Sequence, residues 1–578
     1  MNSLRTAKRF VFPLLGLWVL LYASFSLVKP PLLDGTDSIQ AEAAREMAVN
    51  GDWITPHVDG VRYLAVFPLL TWSTAASFKV FGVADWAARL PLALYALALF
   101  IVTLTLGARL FLTPVAGFYA ALILLTSVGI FLFAHLLYPQ VLSTLWLTLS
   151  LYFFWRSLRH EHASRGTAIG FAAACALGVL SEGLAGVILP VVVVLLFLGI
   201  TRNLRHLLRW HPVIGVLVFL LIAAPWHVAV HRANAIRPHL MAVSGPRNAP
   251  LLLVWVFLLL WIMPWCFFSV AALVRLPARI APHSRQMDPS HQARLLLVLW
   301  LAVVAFSVVF IQRQEFSVLP GLPALALLAA GWLAADEAAP SRTGRVFAWI
   351  IFAGGVIKGM AALYLAARAP IPAPGADIAT LLRLHPGHHH LFLGHLADLT
   401  FASMGAFRIP LYIYGAALLA GVTANLIFRL RNQTRMANCF LAGMMVFLLI
   451  AAHIALNTFS PVVSSAVLAE AIKPEMNSGD VVVVNGYYRD ASALNFYLER
   501  PIHLLNTPGG DLGPFSRDVP SLFENSSSLA TQWSGAGRVF LWTTPQSAPT
   551  LPGAVYLIAR DGGREILSNQ PNSGGASF

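Results

Sequence analysis

The sequence has 578 residues, a mean hydropathy of +0.72, 58% hydrophobic residues and only 11% charged ones. So little charge cannot cover the surface of a water-soluble globule, which makes this a polytopic membrane protein. The formal charge of +14 is dispersed in small basic groups between apolar runs, which marks membrane topology and excludes a nucleic-acid-binding patch.

The apolar runs are roughly 17–25 residues long, enough for a helix to cross the hydrocarbon core, and lack the alternation of a membrane β-barrel. Arg5, Lys8 and Arg9 precede the first run, Phe10 to about Val28, and no small-residue cleavage site follows it. The segment reads as an uncleaved anchor with a cytoplasmic N-terminus. The stretch "LLDGTDSIQAEAAREM", residues 32–47, then emerges on the opposite face.

Spans are predicted next at about 89–108, 112–133 and 138–155, then 167–181, 184–200, 212–230 and 250–273. Further spans are predicted at about 296–311, 317–334, 346–366, 409–428 and 436–457. Each predicted return to the cytoplasm is basic: Arg156, Arg159 and Arg165; Arg202, Arg205 and Arg209; Arg275, Arg279, Arg285 and Arg294; Arg342 and Arg345; Arg429, Arg431 and Arg435. About thirteen spans keep this alternation.

The outer face then holds the loop 30–88, the loop 231–249, "QRQE" at 312–315, the loop 367–408 and the tail from about 460. The expected organisation is a transmembrane domain over 1–459 with a first outer loop at 30–88, and a small soluble α/β domain over 460–578. In the tail, "DVVVVNGYY" (Asp480 to Tyr488) and "RVFLWTT" (Arg538 to Thr544) predict buried strands around helical stretches such as "ASALNFYLER". The end "NQPNSGGASF" reads as frayed, and no repeat of fixed period is present. Cys175, Cys266 and Cys439 lie in or beside apolar runs without pairing or metal spacing and read as small buried hydrophobes.

Asp34 and Asp37 would share one face if their segment is helical. A carboxylate in a membrane-apposed, partly desolvated site can act as a general base on a hydroxyl or amine. The plainer reading is a solvated amphipathic helix on the membrane with Asp34 or Thr36 as its N-cap. Arg313, Gln314 and Glu315 lie at a span boundary, where ionisable groups are costly and tend to be functional; a snorkelling Arg313 paired with Glu315 is the alternative. His385, His388, His389, His390 and His395 are close enough to suggest zinc, yet no carboxylate joins them regularly before Asp398. A partly protonated surface loop is the other reading. Trp226, Trp261 and Trp265 sit near span ends as interfacial anchors or packing residues.

The order of features resembles the GT-C superfamily of membrane glycosyltransferases, in the branch of the protein mannosyltransferases and the lipid A aminoarabinose transferase. It is carried by "REMAVNGDWITPH", "RYL" followed by "PLLTW", "FGVADWAARLP", "FIQRQEFSVLPGLPALALL" and "GDVVVVNGYYRDASALNFYL". The resemblance implies a GT-C-like helical membrane fold with a C-terminal extracytoplasmic domain in a bacterial inner membrane. It implies a sugar donor on a polyprenyl phosphate, transfer on the outer face with inversion, and a lipid or cell-envelope glycan as acceptor. The base role falls on Asp34 or Asp37; Arg45, Arg62, Tyr63 and Arg313 become candidates for the donor phosphate. Gln314 and Glu315 join them as substrate-binding candidates. No cofactor is assigned, a divalent metal stays open, and the partners are membrane lipids and no nucleic acid.

Departures from the family pattern are specific. Tyr-x-Glu-Lys before proline is replaced by Tyr63-Leu64-Ala65-Val66-Phe67-Pro68, Gly35 stands where an acid is expected, Glu182 where a lysine is often found, and Gln140 near Tyr138 in place of an acid. The loop 231–249 lacks the usual Asn-Glu-His, and Arg232, Arg237 or Arg247 would have to compensate for the lost cation. A different donor, or a catalytically silent relative that binds polyprenyl-phosphate lipids or scaffolds a partner, is the alternative function. A flippase would need ionisable groups along a mid-membrane path, which the spans almost lack.

Overall fold

The computed structural model describes residues 11–28, 30–159, 164–234, 250–274, 288–310, 314–383, 392–506, 510 and 512–572. The first apolar helix, α1 (Val11–Ser26), leads through Pro30 and Pro31 into α2 (Thr36–Asn50). Prolines cannot continue a helix with full hydrogen bonding, so the chain breaks there and restarts. A hairpin of β1 (His57–Val58) and β2 (Val61–Arg62) follows, turned by Asp59 and Gly60 at φ +57° and +74°. Two positive φ values across Asp-Gly make the tight turn whose twist suits paired strands. Then come α3 (Pro68–Phe81), α4 (Asp85–Leu110), α5 (Pro114–Leu125), α6 (Val128–His135), α7 (Gln140–Arg159), α8 (Arg165–Glu182), α9 (Ala185–Ile200) and α10 (Pro212–Asn234). The bundle closes with α11 (Leu251–Leu260), α12 (Cys266–Val274), α13 (Pro289–Ser307), α14 (Leu322–Ala338), α15 (Arg342–Arg368), α16 (Arg408–Leu430) and α17 (Thr434–Val463).

Among the described residues, seven helices are long and apolar enough to cross a membrane, or eight if α5 and α6, bent by 54°, form one span. The chain is a multi-span helical membrane protein. Helices α1, α9 and α11 are apolar but shorter. Part of the shortfall from thirteen has a physical cause: α7 turns Gln140, Ser143, Thr144, Thr148 and Ser150 into the interior, where backbone carbonyls satisfy several of the hydroxyls. Polar residues that face the bundle lower a helix's hydropathy without exposing polar groups to lipid.

The C-terminal part holds α18 (Ala466–Ile472), β3 (Val481–Val484), α19 (Ser492–Leu498), β4 (His503–Leu505), β5 (Phe523–Glu524), α20 (Ser526–Trp533), β6 (Val539–Thr543), β7 (Tyr556–Asp561) and β8 (Arg564–Ser568). The six strands run in the order β5-β4-β3-β6-β8-β7, with the first four parallel and the last two antiparallel. Both predicted strands are present. In β3, Val482 and Val484 join one buried cluster and Val483 another; in β6, Phe540 and Trp542 oppose Val539 and Leu541. Period-two alternation with both faces covered explains why these strands read as unbroken apolar runs.

One face of the sheet lies under α20, through Leu529 and Trp533. The other shares its core with Ile39 and Ala43 of α2, Val58 and Val61 of the hairpin, and Trp226 and Val230 of α10. Each fully buried aliphatic or aromatic side chain contributes about 1.5–3 kcal/mol. A shared core of this kind makes a fixed junction rather than a hinge. Cys175 and Cys266 are buried as expected, but Cys439 is exposed, because it lies on the outward side of α17.

At the far end of the bundle Arg429 of α16, only 1% exposed, pairs with Asp336 of α14 and donates to Asn438 Oδ1 of α17 at 2.6 Å. Removing one partner of a buried pair leaves the other charge uncompensated. Asp336→Ala is expected to destabilise the protein by about 3–5 kcal/mol, and adding Arg429→Met to recover most of that loss, as read by thermal unfolding of the purified protein in detergent.

Candidate functional site

The first loop brings Asp34 and Asp37 near each other in sequence but turns them to different partners. Helix α2 begins at Thr36 after Gly35, whose φ of +84° reverses the chain, so Asp34 precedes the helix and the two carboxylates do not share a face. No side chain caps α2, so neither Asp34 nor Thr36 serves as the expected N-cap.

Asp37 sits in the first turn of α2 with its side chain 2% exposed. Its Oδ2 accepts from Leu33 N at 2.9 Å and its Oδ1 from Leu137 N at 2.8 Å. Arg89 Nη2 lies 3.4 Å away, and the same guanidinium donates to Pro30 O at 2.7 Å and Pro31 O at 3.1 Å. Burial raises the Asp37 carboxyl above the usual carboxylate range, more than Arg89 lowers it. Tyr138, next to Leu137 in the turn before α7, packs its ring against Phe316 with centroids 4.9 Å apart, beside Glu315 in the chain. Glu315 is buried, and its carbonyl accepts from Trp261 Nε1 at 2.6 Å. Asp37, Arg89, Tyr138 and Glu315 thus form one junction where four separate segments meet.

Arg89 and Pro30 also line a cavity of about 630 Å³ whose walls come mainly from α6, α15, α16 and α17. The lining is apolar apart from a few groups, and its ionisable ones are Arg89, His135, Lys358, His395 and His453, together with the phenol of Tyr414. No carboxylate is among the described residues that line it. A cavity with apolar walls and no carboxylate among its described lining suits a long hydrocarbon that carries an anion.

Asp34 is engaged elsewhere. Its Oδ2 receives Arg564 Nη1 at 2.6 Å and Ser465 Oγ at 2.8 Å, and its Oδ1 receives Ala493 N at 2.8 Å. Burial nevertheless lifts its carboxyl above the ordinary value, against the pull of Arg564.

The other sequence candidates lie apart from Asp37. Arg45, eight residues along α2 and so about 12 Å from it, is paired to Glu42 through Nε at 2.7 Å and Nη2 at 2.5 Å. Burial works against the Arg45 cation, and the bond to Glu42 outweighs it and holds the guanidinium above its ordinary value. Arg62 makes a two-pronged pair with Asp518, both contacts 2.7 Å, and lies over the Phe515 ring. Tyr63 donates its backbone N–H to Pro56 O at 2.8 Å. Gln314 caps a turn with Ser317. Arg313, Arg237, Arg247, His385, His388 and His390 lie outside the described residues; His395 stands 3.5 Å from Asp398. Among the described residues no group of three potential ligands is arranged to hold a metal.

Sequence reasoning missed Arg89, His135, Lys358 and His453. A signal was present, since each is an ionisable group inside or at the edge of an apolar run.

Residues 66–228 match the family described as dolichyl-phosphate-mannose-protein mannosyltransferase. The chain is 29% identical over 355 residues, 58% of its length and 62% of the relative's, to the undecaprenyl phosphate-alpha-4-amino-4-deoxy-L-arabinose arabinosyl transferase of Aeromonas salmonicida. It is 31% identical over 225 residues to the protein of that name from Aeromonas hydrophila, covering 38% of this chain and 40% of the relative. The aligned stretches therefore span less than two thirds of these relatives. The fold matches the crystal structure of ArnT from Cupriavidus metallidurans bound to undecaprenyl phosphate, with a TM-score of 0.79, 20% identity and 99% of each chain covered. Over part of its length the chain is thus similar in sequence to aminoarabinose transferases, as the sequence resemblance implied, and it shares the fold of the Cupriavidus protein.

A second acidic group lies under the C-terminal sheet. Glu46 accepts from Gly60 N at 3.0 Å; Asp59 accepts from Ile502 N at 3.0 Å; Glu42 lies close to both. Burial, then the charge of Glu42, pushes the Glu46 carboxyl up to about 7. An acid raised by folding binds its proton more tightly in the folded state, so the stability it contributes is lost as pH rises from about 4.5 to about 7. Glu46→Gln is expected to remove a decline on the order of 2–3 kcal/mol over that window, read as thermal unfolding midpoints at pH 5 and pH 8.

Proposed function

We propose that the protein is a membrane glycosyltransferase that moves a sugar from a polyprenyl-phosphate-linked donor to a lipid or cell-envelope acceptor. The reaction takes place on the outer face of a bacterial inner membrane, in a chain of about thirteen spans with a cytoplasmic N-terminus and an extracytoplasmic C-terminal domain. The observation that carries this reading is the apolar cavity whose charged and imidazole groups are all basic in kind and whose wall includes Arg89, itself in contact with Asp37. The hydrocarbon of a prenyl carrier fits such walls, and its phosphate is drawn to the Arg89 end. The names of the relatives point to undecaprenyl phosphate bearing an aminoarabinose as the donor class.

Asp37 is the base in this reading. Its carboxylate takes the proton from an acceptor hydroxyl or amine, the acceptor atom bonds to the anomeric carbon, and the bond from that carbon to the phosphate oxygen breaks. The carrier leaves as polyprenyl phosphate, its charge met by Arg89 and Lys358 of the cavity wall. Asp34 is assigned a structural part, since its partners come from the C-terminal domain and the end of the bundle. The cations that line the cavity stand in for the lysine missing from the Tyr63–Pro68 stretch.

A second reading, a silent relative that binds polyprenyl-phosphate lipids, draws on a different observation. Asp34 and Asp37 are filled by donors from the chain itself, and Arg45 and Arg62 are neutralised by Glu42 and Asp518.

Purified protein in proteoliposomes, supplied with undecaprenyl-phosphate 4-amino-4-deoxy-L-arabinose and an envelope lipid extract, is expected to release undecaprenyl phosphate. Asp37→Asn should cut the rate at least about 100-fold. Because the base must be ionised and its carboxyl is raised, the rate should begin to fall at a pH above the ordinary carboxylate value of about 4. Full release by the Asp37→Asn protein sinks the assignment of the base, and tight binding of undecaprenyl phosphate with no release by the native protein selects the second reading.

A further inference from the structure

The C-terminal domain meets the first loop through one unusual turn, Asp561-Gly562-Gly563-Arg564, between β7 and β8. Both glycines have positive φ, +62° and +75°, and a Cβ on Gly562 would lie 1.8 Å from the carbonyl oxygen of Pro461 at the end of α17. Such φ values favour glycine, and the approach at Gly562 leaves no room for a side chain. The two successive N–H groups converge on Asp377 of the loop after α15: Gly562 N on Oδ1 at 3.0 Å and Gly563 N on Oδ2 at 2.9 Å. The turn is therefore pinned to the membrane domain from two sides, and its next residue is Arg564.

Arg564 stacks over Trp542 of β6 at 5.5 Å and extends Nη1 to Asp34 Oδ2 at 2.6 Å and to Ser465 Oγ at 3.1 Å. The pair is largely shielded from water, with side-chain exposures of 16% and 5%. Asp34 is also held by its own N–H, which donates to Val463 O at 2.9 Å. Its neighbours carry the constraint onward. Leu33 N donates to Asp37 Oδ2, Leu33 O accepts from Ser38 N at 3.0 Å, and Gly35 N donates to Ser492 Oγ at 2.8 Å.

We propose that Arg564 is a positioning residue: through Asp34 it fixes the Leu33–Gly35 turn, and with it the N–H that holds the Asp37 carboxylate in place. This rests on the reading of Asp37 as the base. Arg564 touches no substrate; it sets the orientation of the group that does. Misplacing a catalytic carboxylate by a fraction of an ångström costs rate and leaves donor binding, which belongs to the cavity, nearly unchanged. One guanidinium nitrogen makes both contacts, so a lysine ammonium can replace it.

Arg564→Ala, Arg564→Gln and Arg564→Lys in the full-length protein in proteoliposomes test this, with release of undecaprenyl phosphate from its aminoarabinose derivative as the assay. The expected result is a kcat about 10-fold or more below native for Ala and Gln, a donor KM within about 2-fold, and a return to within about 3-fold of native kcat for Lys. An unchanged kcat, a change in KM alone, or no recovery with Lys overturns the proposal; the Gln protein serves where the Ala protein does not fold. If the native protein releases no carrier, the catalytic reading has failed, and hydrogen exchange then decides on Arg564. Exchange of the amides from Leu33 to Ile39 at least about 10-fold faster in the Gln protein and restored in the Lys protein, with Val481–Val484 unchanged, supports the positioning role. Equal exchange in native and Gln proteins overturns it.

Discussion

A guanidinium that is 2% exposed must have its charge met inside the protein, and Arg89 brings its two Nη groups to one place: the carbonyls of Pro30 and Pro31 and the carboxylate of Asp37. That requirement draws the end of α1, the start of α2 and the first turns of α4 into contact. Leu137, bound to the other oxygen of Asp37, adds the turn after α6. The cavity begins where this knot ends, because Arg89, Pro30 and His135 form part of its wall. Site and cavity are adjacent for an electrostatic reason.

A second set of bonds closes over the knot from the C-terminal domain. Tyr497 accepts from Leu32 N and donates to Asp85, both at 2.8 Å, while Ser492 meets Gly35 and Ser38. Lys473 and Glu475 belong to the same domain, and Glu475 pairs with Arg538 at 3.3 Å. The inner face of the sheet adds its apolar core against α2 and the hairpin. The first loop is thus enclosed between bundle and sheet, which is why so many of its ionisable groups are buried although the loop lies outside the spans. That enclosure explains the concentration of charge after the first apolar run: each carboxylate there has a specific partner.

Much of this was legible in the sequence because it depends on local pattern. Apolar length located the helices, and runs such as Val481–Val484 located the parallel strands. Other features depend on pairings between distant segments. Nothing near Asp34 announces Arg564, and nothing near Arg62 announces Asp518. Helix α7 reads as a span, yet its inward polar residues reduce its hydropathy. The assumption that α2 would start early enough to align Asp34 with Asp37 failed at Gly35, whose positive φ sets the helix start. Arg89 was visible as an arginine at the edge of a span, but its weight comes from the two proline carbonyls opposite, which a linear reading does not reveal.

The contact between Asp34 and Arg564 joins residues 530 positions apart. A ribosome adds roughly 5–20 residues each second, so half a minute to two minutes pass between the making of the first partner and the arrival of the second. Throughout that interval the Asp34 carboxylate waits without its cation and without the C-terminal segments that later enclose it. The Leu33–Gly35 turn therefore takes its final form only after the last strand has folded, so premature termination near the end of the message yields a chain whose first loop lacks this contact.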